Sequence, residues 1–342
     1  MNTNPNQPYY NSKPIRNIAA LSKALKLEEH ALLEIVSIVD SLWKPPLEIK
    51  KEDGSIRVVF DAKPRLKALH KRIHAEILSK VTYPNYITGS VKGHDYSTNA
   101  AIHANKTIVI TEDIKSFFPN TSISLVKEIW QHFFGFSDEV SQILTKLTTK
   151  DGCLPQGGVC SSYLANLAFW DLEGDLFANF KTDNIDYSRY VDDITISSCK
   201  NLNNSIKTKA IANIFGMLIK KGYKPKRAKH EIHTHARPMI VTKLMVNDKV
   251  SLTKKERDKI RAAVYQIENR IKNGERGYKI ANDITKASGR VGVLNRFHEI
   301  EGKQLKVRLK SLRDILSKCP IHNTTTPNQN IISEESNECL FS

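Results

Sequence analysis

Apolar residues recur at helical spacing over residues 18–42 (Leu21, Leu25, Leu32, Leu33, Ile35, Val36, Val39), which predicts two short helices split near Lys26 to Glu28. Residues 47–60 change to strand-like alternation around Asp53-Gly54, with Leu47 and Ile49 leading in and Ile56, Val58 and Val59 leading out, the pattern of a β-hairpin. Ile108-Val109-Ile110 reads as a short buried strand that ends at Asp113, and Ser161 to Phe177 repeats Leu164, Leu167, Ala168, Leu172 and Leu176 along one helical face. β-forming residues return from Tyr187 to Ser197. After a turn at Met245 to Asp248, Thr253 and Glu256 form a capping-box pattern ahead of an apolar stripe of Ile260, Ala263, Val264, Ile267 and Ile271. Acid-bearing strands that alternate with helices predict an α+β fold.

Charge adds a partner to this picture. The chain of 342 residues carries 52 Lys plus Arg against 36 Asp plus Glu, a formal net charge of +16, more than solubility requires, and a polyanion is the expected ligand class. The excess is uneven: residues 251–318 hold 18 basic against 8 acidic side chains, whereas 319–342 hold three Glu and neither Lys nor Arg. The opposite face of the Thr253–Ile271 helix carries Lys254, Lys255, Arg257, Lys259, Arg261 and Arg270, which suits phosphates, although a solvated basic face has the same composition. The five cysteines show neither a zinc spacing nor a paired framework and point to a reducing cytoplasm. The first sixteen residues are polar and no apolar run approaches the ~20 residues of a membrane span, so a soluble, unprocessed chain with no membrane association is expected. Residues 1–16 read as a flexible leader, 17–46 as a helical region, and 319–342 as a disordered tail.

The strongest chemical signal is Tyr190-Val191-Asp192-Asp193, flanked by β-formers. At a hairpin turn two adjacent carboxylates can be presented together, whereas in mid-strand they would face opposite ways. Such a tip suits a hard cation, and two magnesium ions on carboxylates and phosphate oxygens serve nucleotidyl transfer. A lone Asp-Asp turn is more often solvated surface. Here, however, Asp113 closes an apolar strand upstream, with Phe117 and Phe118 just after it.

Asp-x-x-x-x-Phe followed by Tyr-x-Asp-Asp resembles the central motifs of reverse transcriptases. The resemblance implies that Asp113, Asp192 and Asp193 are catalytic and hold two Mg2+, with Ile114 among the metal-binding positions, and that Phe118 is a steric gate against the ribose 2′-hydroxyl. Leu154-Pro155-Gln156-Gly157 is similar to the motif that contacts nucleotide and template, although Gly158 to Ser162 depart from the usual sequence. Arg57 looks like the fingers residue that holds the triphosphate. Lys229 resembles the lysine that protonates or binds the leaving pyrophosphate. Together these give Arg57, Phe118, Gln156, Gly157 and Lys229 as nucleotide-binding positions.

Asn99-Ala100-Ala101-Ile102-His103 matches the Asn-Ala-x-x-His signature of retron reverse transcriptases, and the retron Val-Thr-Gly triplet appears as Val241-Thr242-Lys243. By that likeness Asn99, His103, Val241 and Thr242 join Lys255, Lys259 and Arg270 as RNA-binding candidates. His103 alone could equally be a satisfied core histidine. The resemblance implies a right-hand polymerase with fingers at 47–106, a palm at 107–248 and a basic helical thumb at 249–318. It further implies a bacterial enzyme that copies a cognate structured non-coding RNA with deoxynucleoside triphosphates. Its product would be branched multicopy single-stranded DNA primed from a guanosine 2′-hydroxyl, made for antiphage defence alongside a separate effector protein. The alternatives are another prokaryotic reverse transcriptase of the defence or group II intron type, an RNA-dependent RNA polymerase, or a silent RNA-binding scaffold. The three intact acids disfavour the scaffold and Phe118 disfavours ribonucleotides.

Overall fold

A computed structural model describes residues 5–51 and 53–318, which fall into two compact units divided after Ser251. In the first unit a two-residue strand β1 (Tyr9–Tyr10) precedes helices α1 (Ile18–Leu25) and α2 (Glu29–Ser37). These two helices stand where the apolar spacing predicts them. Asn17 caps α1 by accepting from the Ala20 amide, and Lys26, at φ 55°, turns the chain between the two. The hairpin β2 (Leu47–Lys50) and β3 (Ile56–Val59) follows, with Gly54 at φ 79° in its turn. Then come α3 (Pro64–Glu76), β4 (Val81–Thr82), α4 (Tyr96–Ile102), β5 (Ile108–Asp113), α5 (Phe117–Asn120), α6 (Ile123–Glu128) and α7 (Asp138–Thr148). The unit continues through α8 (Ser161–Asn166), α9 (Glu173–Thr182), β6 (Asp186–Tyr190), β7 (Asp193–Ser198), α10 (Asn204–Lys220), β8 (Glu231–Thr234), β9 (Ile240–Val241) and β10 (Leu244–Met245).

The leader expected over residues 1–16 is not a loose segment where it is described. Tyr9 and Tyr10 pair antiparallel with Thr82 and Val81, and the Tyr10 ring meets Phe134 and Phe136 edge-on at 4.9 and 5.8 Å. The Asn6 carbonyl accepts the Tyr86 hydroxyl at 2.9 Å. A strand of two residues is too short to show a period, so pattern reading passes over it. The single helical face read from Ser161 to Phe177 is also corrected. After Asn166 the chain tightens into successive i→i−3 turns (Leu167 N to Leu164 O, Ala168 N to Ala165 O, Trp170 N to Leu167 O) before α9 begins. The tighter winding still leaves Leu164, Leu167, Ala168 and Leu176 buried, which preserves the apolar signal while breaking the helix.

The candidate acids lie on or beside a four-stranded antiparallel sheet of order β6-β7-β5-β8. Its interior is the expected apolar run: Ile108, Val109 and Ile110 on β5 and Ile194 and Ile196 on β7 are all buried. Removing such a side chain costs about 2–5 kcal/mol, so the sheet is a stiff support. Phe117 lies in the same core, stacked on Phe169 with ring centroids 6.1 Å apart and near-parallel planes, and against Tyr223 at 5.2 Å.

The second unit is helical: α11 (Lys254–Lys272), α12 (Tyr278–Phe297) and α13 (Glu299–Lys318). Thr253 accepts from the Glu256 amide at 3.3 Å to start α11, and the predicted stripe of Ile260, Val264, Ile267 and Ile271 is buried. It packs with Ile284, Val291 and Leu294 of α12 and Leu305, Leu309 and Leu312 of α13, each buried. Gly302 lies so close to the Asn295 backbone that a β-carbon would collide, which lets the turn between α12 and α13 close tightly. The tail expected from residue 319 lies outside the described residues. No helix among the described residues is long and apolar enough to cross a membrane.

Candidate active site

Strand pairing brings together acids that are far apart in the sequence. In the β5–β7 ladder Asp113 stands directly opposite Asp193, and in the β6–β7 hairpin Tyr190 stands opposite Asp193, leaving Val191 and Asp192 as the turn. The Ile114 amide donates to the Asp192 carbonyl at 2.9 Å, which ties the turn to the end of β5. Ile114 has no side-chain oxygen and is itself buried, so its part in a metal site is confined to the backbone.

The cluster is electrostatically unsettled without a counter-ion. Burial raises the Asp192 carboxyl, with repulsion from Asp113 adding to it and Lys229 and Arg57 opposing it. Burial, followed by repulsion from Asp192, raises Asp193 to about 6, against the pull of Lys229 and Lys243. The Lys229 ammonium is bonded to the Asp113 carboxylate. Burial by itself would lower that ammonium, and the bond to Asp113 and the charges of all three acids more than offset it. Among the described residues no three acid, imidazole or thiol side chains already converge as a metal site, and Lys229 neutralises Asp113 in their place. Three oxygen-donor acids whose mutual repulsion is only partly relieved by one lysine fit a hard divalent cation.

The other expected nucleotide contacts surround this end of the sheet. Arg57 is exposed on β3, opposite Ile49, and its charge reaches Asp192. The Gln156 carbonyl accepts the Phe60 amide at 2.8 Å, so the Gln156-Gly157 loop docks on the strand that carries Arg57. Gly157 has φ 99°, and a β-carbon there would lie 2.8 Å from both the Phe60 carbonyl oxygen and Val59 Cγ1. Of the two adjacent phenylalanines, Phe117 is core and Phe118 is half-buried, which leaves Phe118 available as a gate.

The RNA-binding candidates divide. Asn99 and His103 are both 0% exposed, so the expectation that they touch RNA does not hold. His103 Nδ1 and Nε2 each lie 2.7 Å from a hydroxyl, of Ser197 and Ser188, and Asn99 Oδ1 accepts from Ser188 at 2.8 Å and Thr88 at 2.7 Å. Burial lowers His103 to about 3, so the ring is neutral and clamps β6 to β7 behind the acids. Val241 is also buried. Thr242, at φ 46°, donates to the Tyr96 carbonyl at 2.7 Å and anchors the β9–β10 turn on α4. In the helical unit Lys255 and Lys259 are exposed, but Arg270 is engaged by Glu275 and Asp283 at 2.5 and 2.8 Å and is not free for phosphate.

Sequence reading missed the support of the Val191-Asp192 turn. Arg189, 0% exposed, donates to both oxygens of Glu173 (2.6 and 2.8 Å), to the Asn166 carbonyl (2.9 Å) and to the Val191 carbonyl (3.2 Å). The Tyr187 hydroxyl donates to the same Glu173 at 2.6 Å. Asn166 donates to the Gly89 carbonyl at 2.7 Å, and a β-carbon on Gly89 would lie 2.5 Å from the Val191 nitrogen. Val191 itself has φ 60°, a conformation β-branched residues avoid, and this shell of contacts imposes it. The one available signal was an arginine within a β-forming run, where a charge must be buried with a partner or face solvent.

An acid pair on a hairpin turn, facing a third acid on the neighbouring strand with a lysine upon it, is the arrangement expected of a template-directed polymerase. The family described as reverse transcriptase (RNA-dependent DNA polymerase) matches residues 49–281. The retron Se72 reverse transcriptase of Salmonella heidelberg (strain 579083-10) is 36% identical over 321 residues, covering 91% of this chain and 83% of that protein. The retron Ec48 and Ec86 reverse transcriptases of Escherichia coli are 29% and 25% identical, over 91% and 74% of this chain and 80% and 78% of their own lengths. The chain belongs to the retron reverse transcriptases and is an RNA-directed DNA polymerase.

Proposed function

We propose that this polymerase copies a cognate structured non-coding RNA into branched multicopy single-stranded DNA, primed from a guanosine 2′-hydroxyl of that RNA, as part of an antiphage system with a separate effector. The retron relatives support the RNA partner and the type of product. Residues 47–106 serve as fingers, 107–248 as palm and 249–318 as thumb. The observation that carries the reading is the pairing of Asp113 opposite Asp193 with Asp192 in the adjoining turn.

Two Mg2+ would be held by Asp113, Asp192 and Asp193, where they supply Lewis-acid stabilisation of the attacking and leaving oxygens. The remaining roles belong to the chain. Arg57 and the Gln156-Gly157 loop hold the incoming deoxynucleotide, and the absence of a side chain at Gly157 lets that loop seat against Val59 and Phe60 beside Arg57. The Phe118 ring fills the space a 2′-hydroxyl would need. Lys229 carries a proton beside Asp113, from where its ammonium can bind or protonate the departing pyrophosphate.

The test is incorporation of labelled deoxynucleotide on an RNA template by Asp192→Asn and Asp193→Asn. Each should abolish synthesis while leaving thermal stability and RNA binding close to wild type. Near-normal incorporation by both variants removes these residues from the active centre.

A further inference from the structure

The end of β5 borders a second feature. Between α10 and the loop that follows it lies an open pocket of about 660 Å3, lined by Lys115, Phe215, Ile219, Lys224, Lys226 and Arg227, among others. The backbone fixes it to the active-site strand. The Lys115 amide donates to the Lys224 carbonyl at 2.9 Å, and the Lys226 amide to the Asp113 carbonyl at 2.7 Å. The loop that lines the pocket is therefore tied to the end of the strand that carries Asp113, and Lys229 itself is not in the pocket wall.

Its cations differ from several basic residues elsewhere that are held by acids: Lys221 by Glu128 and Asp171, Arg270 by Glu275 and Asp283, and Arg257 and Arg261 by Glu301. Lys115, Lys224, Lys226 and Arg227 make no side-chain hydrogen bond or ion pair among the described residues, and no carboxylate lines the pocket. Lys226 also acts weakly on Asp53, in the β2–β3 turn. Four cationic residues from two chain segments line one concavity with no acid beside them in its wall, and an anion seated there would be attracted to all four. One wall is apolar, formed by Phe215 and by Ile219, which is 66% exposed.

We propose that this pocket is a polyphosphate site, taking pyrophosphate or the triphosphate tail of a nucleotide on Lys115, Lys224, Lys226 and Arg227. The volume is that of a small-ligand site, and the four basic residues line a single concavity, which suits a compact anion better than an extended nucleic-acid strand. The polymerase reading explains why polyphosphates are at hand, since each addition consumes a triphosphate and releases pyrophosphate next door. Binding itself depends only on the pocket. A nucleotide would also set its base against Phe215 and Ile219, and pyrophosphate would leave that wall bare.

The experiment is calorimetric titration of the full chain in EDTA, which removes metal-dependent binding at the acids. The probes are inorganic pyrophosphate, dATP and a short single-stranded RNA. Pyrophosphate should bind the wild type and bind Lys224→Ala/Arg227→Ala about tenfold or more weakly, because each exposed cation lost removes a charge-assisted contact. Circular dichroism should be unchanged, as both side chains are exposed. Asp192→Asn should not weaken binding, so failure here is distinguishable from failure of the polymerase reading, which rests on turnover. Tighter binding of dATP than of pyrophosphate identifies the nucleotide as the ligand, and equal binding identifies pyrophosphate. Undetectable pyrophosphate binding, equal binding by the double variant, or an effect of the variant on RNA alone overturns the proposal.

Discussion

Arg189 and Glu173 form a bidentate pair in which neither side chain is more than 1% exposed, and the same guanidinium donates to the Val191 carbonyl two residues before Asp193. A buried pair of this kind costs desolvation to form, yet breaking it strands one charge in the core. Arg189→Met or Glu173→Gln should lower stability by about 3–5 kcal/mol in urea unfolding. The double variant Arg189→Met/Glu173→Leu should recover much of that loss. Synthesis should not return with stability, because Val191 still lacks its donor. Recovery of full activity in the double variant would show that the pair supports the core and not the turn.

Phe118→Ala should admit ribonucleotides. The half-buried ring adjoins a core fixed by Phe117, so truncation opens space without unpacking the sheet. Discrimination between dNTP and rNTP incorporation should fall by about tenfold or more, as expected when a steric exclusion worth more than ~1.4 kcal/mol is removed. Unchanged selectivity in an active variant would place the gate elsewhere.

His103 makes folding sensitive to acid. Burial lowers its folded-state value from 6.5 to about 3, so the native protein excludes a proton that the unfolded chain accepts. Its contribution is complete above pH 6.5 and is lost as the pH falls toward 3, at up to about 1.4 kcal/mol per pH unit. Asp193 acts with the opposite sign. Raised from 3.8 to about 6, it takes up a proton in the native state first and favours folding as the pH drops through that range. Comparison with His103→Gln isolates the histidine. Between about pH 7 and pH 5 the wild type should lose more stability than the variant, each measured against its own neutral value. Parallel curves would mean that the ring is charged in the fold.

In the helical unit Lys255→Ala/Lys259→Ala should weaken RNA binding and flatten its salt dependence, for cognate and scrambled RNA alike, by a slope change of about one to two. Arg270→Ala should instead act through stability, since it unties Glu275 and Asp283 at the α11–α12 junction. A loss of cognate affinity with an unchanged salt slope would assign this face to specific readout.

The sequence showed those parts of the protein that local rules determine. The α1–α2 break, the β2–β3 hairpin, strand β5 and the α11 stripe follow from period and turn chemistry, and the motifs singled out Asp113, Asp192 and Asp193, which the strand pairing brings to one end of the sheet. What it hid depends on contacts across the chain. Tyr9–Tyr10 becomes a strand only because Val81–Thr82 offers an edge, and Arg189 is buried only because Glu173, sixteen residues earlier, meets it. Asn99 and His103 were legible as a pattern but not as interior residues, since polar side chains on a short helix give no sign of which face is covered.

Gly89 gives the turn a remote point of vulnerability. The added methyl of Gly89→Ala would press on the Val191 nitrogen and the Tyr190 carbonyl carbon, at 2.5 and 2.9 Å, although position 89 has no chemistry of its own. Mutational tolerance at this site is therefore a proxy for the placement of acids a hundred residues downstream. A library that scores only residues near Asp113, Asp192 and Asp193 in the sequence would overlook it.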